Sequence, residues 1–330
     1  MPAQPFGLLK PRCLKITVIA PNVGVAIFVD FRLIFIFQFF FLAGYYFVAP
    51  SVLFMVVFII LPIFLAFYYS LTDYDLMQSP RLSGWKNYLN LLEDNRFPRS
   101  VTNTLYFAFG TVPTGIVTSL FLAVLINRHI RGIYTFRALY YLPVVSSFVS
   151  VSLIWLWMYE PNFGLLNDGL EVFGLPRQKW MRSPDTSMLA IIVMSVWKNM
   201  GLNMVIYLAG LQGIPPHLYE AAEIDGAGGR SKFFRITLPL LAPTTFFVVI
   251  VYFIGALQMF VQVYVMGGGA NNDTFGGPVD STVTVVVLIY VNGFAYLKMG
   301  YAAAISFVLF AVIGVITAVN ARLLRYDIGY

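Results

Sequence analysis

Long uncharged, apolar segments alternate with shorter polar segments along most of the 330-residue chain. A helix needs about 20 apolar residues to cross the hydrocarbon core of a bilayer. Because these segments are continuously apolar, not alternately apolar and polar, they favour helices over the strands of a membrane β-barrel. The pattern predicts an all-α fold, a polytopic membrane helical bundle with about six transmembrane helices. The predicted spans are residues 44–71, 101–126, 138–159, 187–211, 243–265 and 299–321.

Residues 1–43 form a hydrophobic N-terminal extension for which two interpretations stay open. Pro50 and Pro62 interrupt the uncharged run, so the first span is placed after residue 43. The preceding residues then form either an interfacial piece or a second hydrophobic helix. Residues 14–29 are apolar but short, which suits an interfacial segment or a weak extra span. They lack the small-residue cleavage pattern of a signal peptide, so no removed leader is predicted.

A shorter apolar stretch lies at residues 283–291, between Asp280 and Asn292. Nine residues are too few to span a bilayer, which takes about 20 in a helix. We therefore expect a re-entrant or surface helix at this position.

The composition excludes an ordinary soluble enzyme, because 59% of the residues are hydrophobic and only 11% are charged. The single cysteine, Cys13, cannot form an internal disulfide. His129 and His217 lie far apart in different polar segments, so no metal site and no cofactor site are predicted on this chain. No domain-sized polar segment is present on which a basic face for nucleic acid could form. The net charge of +6 is therefore interpreted as a signal of membrane topology.

The distribution of basic residues predicts the orientation of the chain in the membrane. With the N-terminus inside, the cytoplasmic segments carry twelve Lys and Arg residues and the outer segments carry eight. The short connection 127–137 is basic and contains no acidic residue. Short basic loops remain on the cytoplasmic side of a membrane, so both termini are predicted to be cytoplasmic.

The polar segment 212–242 has the pattern of two short helices joined by a glycine turn. Prolines at 215–216 predict the start of the first helix, and Gly226 its end. Ser231 is predicted to cap the second helix, which is expected to end before Pro239. The small residues at 221–222 permit close contact with a partner, and a neighbouring glutamate offers an exposed carboxylate.

This segment resembles the EAA loop of ABC-importer permeases, in which E-A-A is followed by a glycine and then by I-x-L-P. The residues that match this pattern are Glu220, Ala221, Ala222, Asp225, Gly226, Ala227, Phe233, Ile236, Leu238 and Pro239. The resemblance extends from about residue 44 to residue 325 and includes G-W-K-N-Y at 84–88, Y-Y-L-P at 140–143 and G-Y-A-A-A at 300–304. The chain is similar to the sugar-permease branch of the binding-protein-dependent importers, the branch that includes maltose, lactose and glycerol-phosphate permeases.

The resemblance implies a division of the chain and a location. Residues 44–96 would hold the first transmembrane helix and an outer loop. Residues 97–325 would form an ABC-importer type transmembrane domain of five helices that includes loop 212–242, and residues 326–330 would be a C-terminal tail. The N-terminal extension and a Gly/Asn-rich insert at 267–274 depart from the family pattern. The location implied is a bacterial or archaeal plasma (inner) membrane.

The resemblance also implies partners. These are a second homologous permease subunit, two cytoplasmic ATPase subunits that each receive an EAA helix in a groove, an extracytoplasmic solute-binding protein and the lipid bilayer. The chain has no phosphate-binding loop, because G-A-G-G-R at 226–230 lacks the required spacing and the lysine. ATP and Mg are therefore expected on the partner ATPase subunits, and this chain is expected to be a non-catalytic subunit.

Polar groups at membrane depth are costly and are candidates for solute contact. Amides pair with hydroxyl groups and aromatic rings pack on sugar faces, so these residue types suit a polyhydroxylated solute. The candidates are Ser195, Lys198, Asn199, Leu202, Asn203, Tyr252, Gln258 and Gln262. The alternative is that such residues form hydrogen bonds between helices. Lys198 has further alternatives: a backbone carbonyl, a partner carboxylate, snorkelling to the interface or an anionic solute.

Two other classes of protein are less compatible with the sequence. A secondary transporter or channel that needs no ATPase commonly places acidic residues inside its bundle, yet no Asp or Glu falls within the six predicted spans. A membrane enzyme would need a nucleophile with a base, or a metal cluster, which the two histidines do not supply. The sequence therefore predicts a permease subunit of an ATP-driven, binding-protein-dependent importer of a carbohydrate or related polyol.

Overall fold

A computed structural model describes residues 17–18, 27–28, 31–127, 132–268 and 275–325. Cys13, His129, most of the Gly/Asn-rich insert and the tail at 326–330 lie outside the described residues. Helices dominate the fold, which confirms the predicted all-α class. The chain divides into two compact units, residues 1–65 and 66–330.

The first unit contains a short strand pair and a long helix. Strands β1 (Thr17–Val18) and β2 (Ile27–Phe28) pair antiparallel, so a helical extra span across residues 14–29 is wrong at these positions. Helix α1 spans Phe31–Met55 and runs through Pro50 without a break. The helix is therefore continuous across residue 43, where the sequence places the start of the first span. A five-residue π-helical turn, Val56–Ile60, follows.

Helix α2 (Leu61–Ser70) begins where the π-helical turn ends. The Leu61 N–H bonds to the Val56 carbonyl, five residues back. Pro62 then lies in the first turn of α2, where a missing N–H and a fixed φ are tolerated. The candidate span runs over Ala43–Ser70, within one residue of the predicted bounds.

In the second unit, a polar segment precedes the main bundle. Strands β3 (Thr72–Asp73) and β4 (Arg81–Leu82) pair antiparallel, and helix α3 (Lys86–Glu93) follows. The Asn87 amide donates to the Ser70 carbonyl at 2.9 Å and to the Thr72 carbonyl at 2.8 Å, which ties α3 to the preceding chain.

Three long helices form the frame of the bundle: α4 (Arg96–Ile126), α8 (Pro184–Gln212) and α15 (Met299–Arg325). Within the described residues, four helices are long and apolar enough to cross a membrane, and two bent helix pairs raise the number to six if each pair is one span. The prediction of about six spans is confirmed in this sense.

The third predicted span is not one helix. It consists of α5 (Ile133–Val145) and α6 (Phe148–Met158), which meet at an angle of 98°. Ser146 and Ser147 between them are extended, with ψ values of 147° and 139°. The prediction of a continuous span at 138–159 is wrong because the chain turns sharply at these two residues.

The fifth predicted span is also interrupted. Helix α12 (Ala242–Leu257) ends before Gln258, and α13 (Val261–Met266) starts three residues later. The Met259 carbonyl, left without a helical partner, accepts a hydrogen bond from the Thr284 hydroxyl at 3.3 Å. A contact from a distant part of the chain thus stabilises the break, which corrects the prediction of one helix over 243–265.

Shorter elements complete the chain. They are α7 (Leu165–Val172), the 3₁₀ turn Trp180–Arg182, α9 (Pro216–Ile224), α10 (Gly229–Lys232), the π-helical turn Phe233–Thr237, α11 (Leu238–Leu240), the 3₁₀ turn Pro278–Asp280, α14 (Val285–Tyr290) and the π-helical turn Val291–Ala295. Val287 and Val291 are fully buried, so the surface-helix alternative for residues 283–291 is wrong.

Helix α4 packs on α8, α12 and α14, and it carries a stripe of small buried residues. Small side chains allow helices in a membrane to approach closely and gain packing contacts. The stripe comprises Ser100, Thr104, Ala108, Thr111, Gly115, Ser119 and Ala123. At Gly110, an added Cβ would lie 2.7 Å from the Ile192 side chain, which shows how tightly the two helices pack.

Candidate functional site

A cavity of about 360 Å³ lies where α8 faces the interruption between α12 and α13. Among the described residues, amide, hydroxyl, aromatic and aliphatic side chains line it, and no charged side chain does. The lining residues are Phe107, Phe148, Asn199, Leu202, Asn203, Val251, Tyr252, Gly255, Ala256, Gln258, Met259, Phe260, Val261 and Gln262. Concave, mostly apolar sites with a few convergent polar groups are typical of small-molecule binding.

The structure brings together six of the eight candidate solute contacts. Those in the cavity wall are Asn199, Leu202, Asn203, Tyr252, Gln258 and Gln262. Ser195 is fully buried on α8 outside the lining, and Lys198 also lies outside it, with its ammonium bonded to the Ser146 carbonyl. A role in solute binding remains a prediction for all of these residues.

The cavity contains polar groups without internal partners. The Asn203 side chain is 6% exposed, and its Nδ2 forms no hydrogen bond with the described residues. The Tyr252 hydroxyl is likewise buried without a hydrogen bond among them. The Asn199 amide, by contrast, donates to the Ser195 carbonyl at 2.9 Å within α8. Unsatisfied buried polar groups are costly and uncommon, so the atoms at 203 and 252 are notable features of this region.

Lys198 caps the end of a half-helix. Its Nζ donates to the Ser146 carbonyl at 2.7 Å, to the Pro143 carbonyl at 2.9 Å and to the Val144 carbonyl at 3.4 Å. Carbonyls at a helix C-terminus carry a partial negative charge, so a cation there is stabilising. The ammonium also lies 4.3 Å from the centre of the Phe148 ring. Of the alternatives for this lysine, contact with backbone carbonyls is the one the structure shows.

Other lining residues were not predicted from the sequence. Phe107 and Phe148 come from α4 and α6, and nothing in a sequence with 31 phenylalanines distinguishes them. Met259 also lines the cavity, although it is only 3% exposed. Trp197, which precedes Lys198 and Asn199 on α8, lies outside the lining and packs against Trp155 with ring centres 5.5 Å apart.

A second cavity, of about 470 Å³, lies among segments predicted to be outside the membrane. Arg96 at its edge donates to Asp280 through two nitrogens, at 2.8 and 3.1 Å. The Tyr301 hydroxyl donates to Asp94 at 2.7 Å. These contacts join the start of α4 to the chain around α14 and α15, so they give this side of the bundle a fixed geometry.

Loop 212–242 has the predicted helix–turn–helix form. After α9, the Ala227 N–H bonds to the Ala222 carbonyl at 2.8 Å and the Gly226 N–H to the Glu223 carbonyl at 3.0 Å. This pair of bonds is a Schellman motif, which requires a left-handed residue at its centre. Gly226 fills that position with φ of +74°.

The second helix of the loop differs from its prediction. It starts at Gly229, with Gly228 and not Ser231 at the N-cap, and it continues past Pro239 to Leu240. The π-helical turn explains the continuation, because the Leu238 N–H bonds to the Phe233 carbonyl five residues back. The proline that follows therefore lies near the start of a new helical segment, where it is tolerated.

Two contacts hold the helices of the loop together. The Tyr219 and Thr237 hydroxyls are 3.0 Å apart, and the Lys232 Nζ donates to the Glu223 carboxylate at 2.6 Å. The hydrogen bond from Lys232, together with its charge, lowers the pKa of Glu223. This side of α9 is thus bound to the protein's own second helix.

The other side of α9 is free for a partner. Glu220, Ala221 and Asp225 are exposed, and Ile224 is 88% exposed. Sequence reasoning did not select Ile224, although an isoleucine four residues after Glu220 in a polar loop was a usable signal. An exposed apolar side chain beside carboxylates is typical of a protein-binding face.

The described helices include interrupted and uninterrupted spans around a mostly apolar cavity with a few amide and hydroxyl groups. Residues 91–326 match the family described as binding-protein-dependent transport system inner membrane component. The chain therefore belongs to this family, which confirms the importer resemblance and the membrane location.

Similar proteins cover nearly the whole chain. The probable ABC transporter permease protein YesP of Bacillus subtilis (strain 168) is 32% identical over 292 residues, covering 88% of this chain and 92% of YesP. The arabinooligosaccharides transport system permease protein AraP of the same organism is 35% identical over 283 residues, covering 85% and 88%. The sn-glycerol-3-phosphate transport system permease protein UgpA of Shigella flexneri is 33% identical over 289 residues, covering 87% and 95%.

A solved structure shares the fold. The crystal structure of a bacterial ABC transporter involved in the import of the acidic polysaccharide alginate contains a chain that superposes with a TM-score of 0.76. The alignment covers 90% of this chain and all of the other, with 23% identity. At this identity the likeness establishes the fold and leaves the solute open.

Proposed function

We propose that this chain is the membrane-spanning subunit of an ATP-driven importer for a carbohydrate or related polyol. The observation that carries the proposal is the cavity, which combines free amide and hydroxyl groups with aromatic side chains inside a binding-protein-dependent permease fold. Each hydroxyl of a sugar is both a hydrogen-bond donor and an acceptor, and a side-chain amide supplies a carbonyl acceptor and an N–H donor to match. Relatives named for arabinooligosaccharides and for glycerol phosphate support this solute class.

Translocation proceeds by alternating access in this proposal. The free face of α9, with Glu220 and Ile224, docks on an ATPase subunit, and ATP-driven closure of two such subunits moves the docked helices. The loop transmits this motion because contacts such as Tyr219–Thr237 make its helices one unit. ATP and Mg bind on the ATPase subunits. The remaining partners are a second permease subunit and an extracytoplasmic solute-binding protein, with both termini of this chain in the cytoplasm.

Reconstitution tests this function. Proteoliposomes containing the chain, a second permease subunit, the ATPases and the binding protein of its source organism are offered labelled arabinooligosaccharide, sn-glycerol-3-phosphate and alginate oligosaccharide. The proposal predicts uptake of at least one solute that needs both ATP and the binding protein. Uptake that persists without the ATPases and follows an ion gradient would instead support the alternative of a secondary transporter or channel.

A further inference from the structure

The lack of charged side chains in the cavity wall restricts the class of solute more sharply than the fold does. Among the described residues the wall presents amides, a phenol and apolar groups, and no Lys, Arg or His. An anion moved from water into such a wall loses hydration without gaining a counter-charge, which is strongly unfavourable. An uncharged polyol loses less hydration and recovers its hydrogen bonds from amides such as that of Asn203.

Lys198 is next in sequence to Asn199 of the cavity wall, and all of its N–H donors already have hydrogen-bond partners. An ammonium group has three N–H donors. Those of Lys198 meet three backbone carbonyls of α5 and the following turn, at 2.7, 2.9 and 3.4 Å. The lysine is 2% exposed, and the Phe148 ring, itself part of the wall, lies 4.3 Å from the ammonium. No donor of Lys198 is left for a phosphate or a carboxylate.

The charge of Lys198 is also partly balanced locally. The carbonyls at the C-terminus of α5 form the negative end of a helix dipole, equivalent to about half an elementary charge. This helix end therefore reduces the positive potential that the lysine places on the cavity. The lysine thus acts on the shape of the site, through the bend at 146–147, and not on the charge of the solute.

We infer that the cavity selects uncharged polyhydroxylated solutes and rejects solutes that carry phosphate or carboxylate groups. This inference rests on the proposed function and narrows it. Two of the similar proteins are named for anionic solutes, glycerol phosphate and the acidic polysaccharide alginate, and the inference excludes both as solutes of this chain. Neutral oligosaccharides such as arabinooligosaccharides remain candidates.

The first test measures occupancy of the cavity directly, so that the binding protein's own selectivity does not enter. Leu202, a lining residue, is replaced by Cys in a Cys13→Ser background, and the rate of maleimide labelling is measured in the assembled complex without binding protein. We expect arabinooligosaccharide to slow labelling about tenfold more than an alginate oligosaccharide of equal length or sn-glycerol-3-phosphate. Equal protection by either anionic solute would overturn the inference.

The second test separates the two roles of Lys198. Lys198→Met should lower uptake of every transported solute by the same factor, because it removes the hydrogen bonds to the carbonyls at the C-terminus of α5. Lys198→Arg should retain part of the uptake that Lys198→Met loses. A selective loss of anion uptake in Lys198→Met, with neutral uptake unchanged, would overturn the inference. If wild-type complex with its ATPases bound takes up none of the three solutes, the proposed function itself fails, and this inference with it.

Discussion

A Cβ placed on Gly115 of α4 would lie 2.8 Å from the Tyr252 hydroxyl of α12. The tyrosine ring therefore packs against a position that only glycine leaves open, and Tyr252 is one of the residues that line the cavity. Helices α4 and α12 thus pack closely together beside the cavity.

Gly115→Ala should displace the Tyr252 ring and distort the cavity. We expect the KM for solute uptake to rise about tenfold, since misplacement of a binding group by about 1 Å has effects of this order or more. Gly314→Ala is the matched control, because nothing lies within 4 Å of a Cβ at that helical position. An unchanged KM in Gly115→Ala would contradict the role of this contact in shaping the site.

Gly226→Ala should weaken the fold of loop 212–242. A residue with a side chain at this left-handed position costs about 1–2 kcal/mol. Hydrogen exchange of the 216–227 amides should speed up, and the ATPase activity stimulated by binding protein should fall. Gly228→Ala serves as control, because Gly228 has φ of −69° and open space around its Cα. Equal effects of the two substitutions would argue against the Schellman turn as the critical feature.

Glu220→Ala should reduce copurification of the ATPases and ATP-driven uptake, by about tenfold if the residue is central to the docking face. Glu223→Gln on the same helix provides the comparison, because that carboxylate, although exposed, is bonded to Lys232. Pull-down of the ATPases by each variant checks the prediction. A larger loss of ATPase binding in the Glu223 variant would contradict a docking face centred on Glu220.

The pH dependence of the loop follows from the lowered pKa of Glu223. The folded loop favours the carboxylate, so its stabilisation is complete above the ordinary Glu pKa of about 4.3 and is lost as pH falls through the lower folded value. Loop amides, corrected for intrinsic exchange rates, should exchange faster as the pH is lowered through this range. In Glu223→Gln the corrected rates should not change over the same interval; the same acid response there would exclude this carboxylate as its cause.

The sequence predicts the spans well where one helix suffices. Helix α8 starts three residues before its predicted span and ends one residue after it, because a long apolar run in a membrane has few alternatives to a helix. Six candidate solute contacts meet at the cavity for a related reason. Polar residues at membrane depth avoid lipid, so they collect on faces that point into the bundle.

The two broken spans depend on contacts distant in sequence. The break after Leu257 contains neither proline nor glycine, and its free Met259 carbonyl is satisfied by Thr284. The bend at 146–147 has its carbonyls bound by Lys198, some fifty residues later. Local pattern does not contain this information, so the phenylalanine that the bend presents to the cavity, Phe148, was not predicted.

The account's central claim is that the cavity between α8 and the α12–α13 interruption binds the transported solute. Asn203→Leu tests it most directly, because the substitution keeps the shape and removes the buried amide that has no partner among the described residues. Ser195→Ala is the control, a buried polar residue of α8 outside the cavity wall. ATP-driven uptake of arabinooligosaccharide is measured in proteoliposomes with equal amounts of bound ATPase. The account predicts a loss of about tenfold in Asn203→Leu and little change in Ser195→Ala. Wild-type uptake by Asn203→Leu would contradict it.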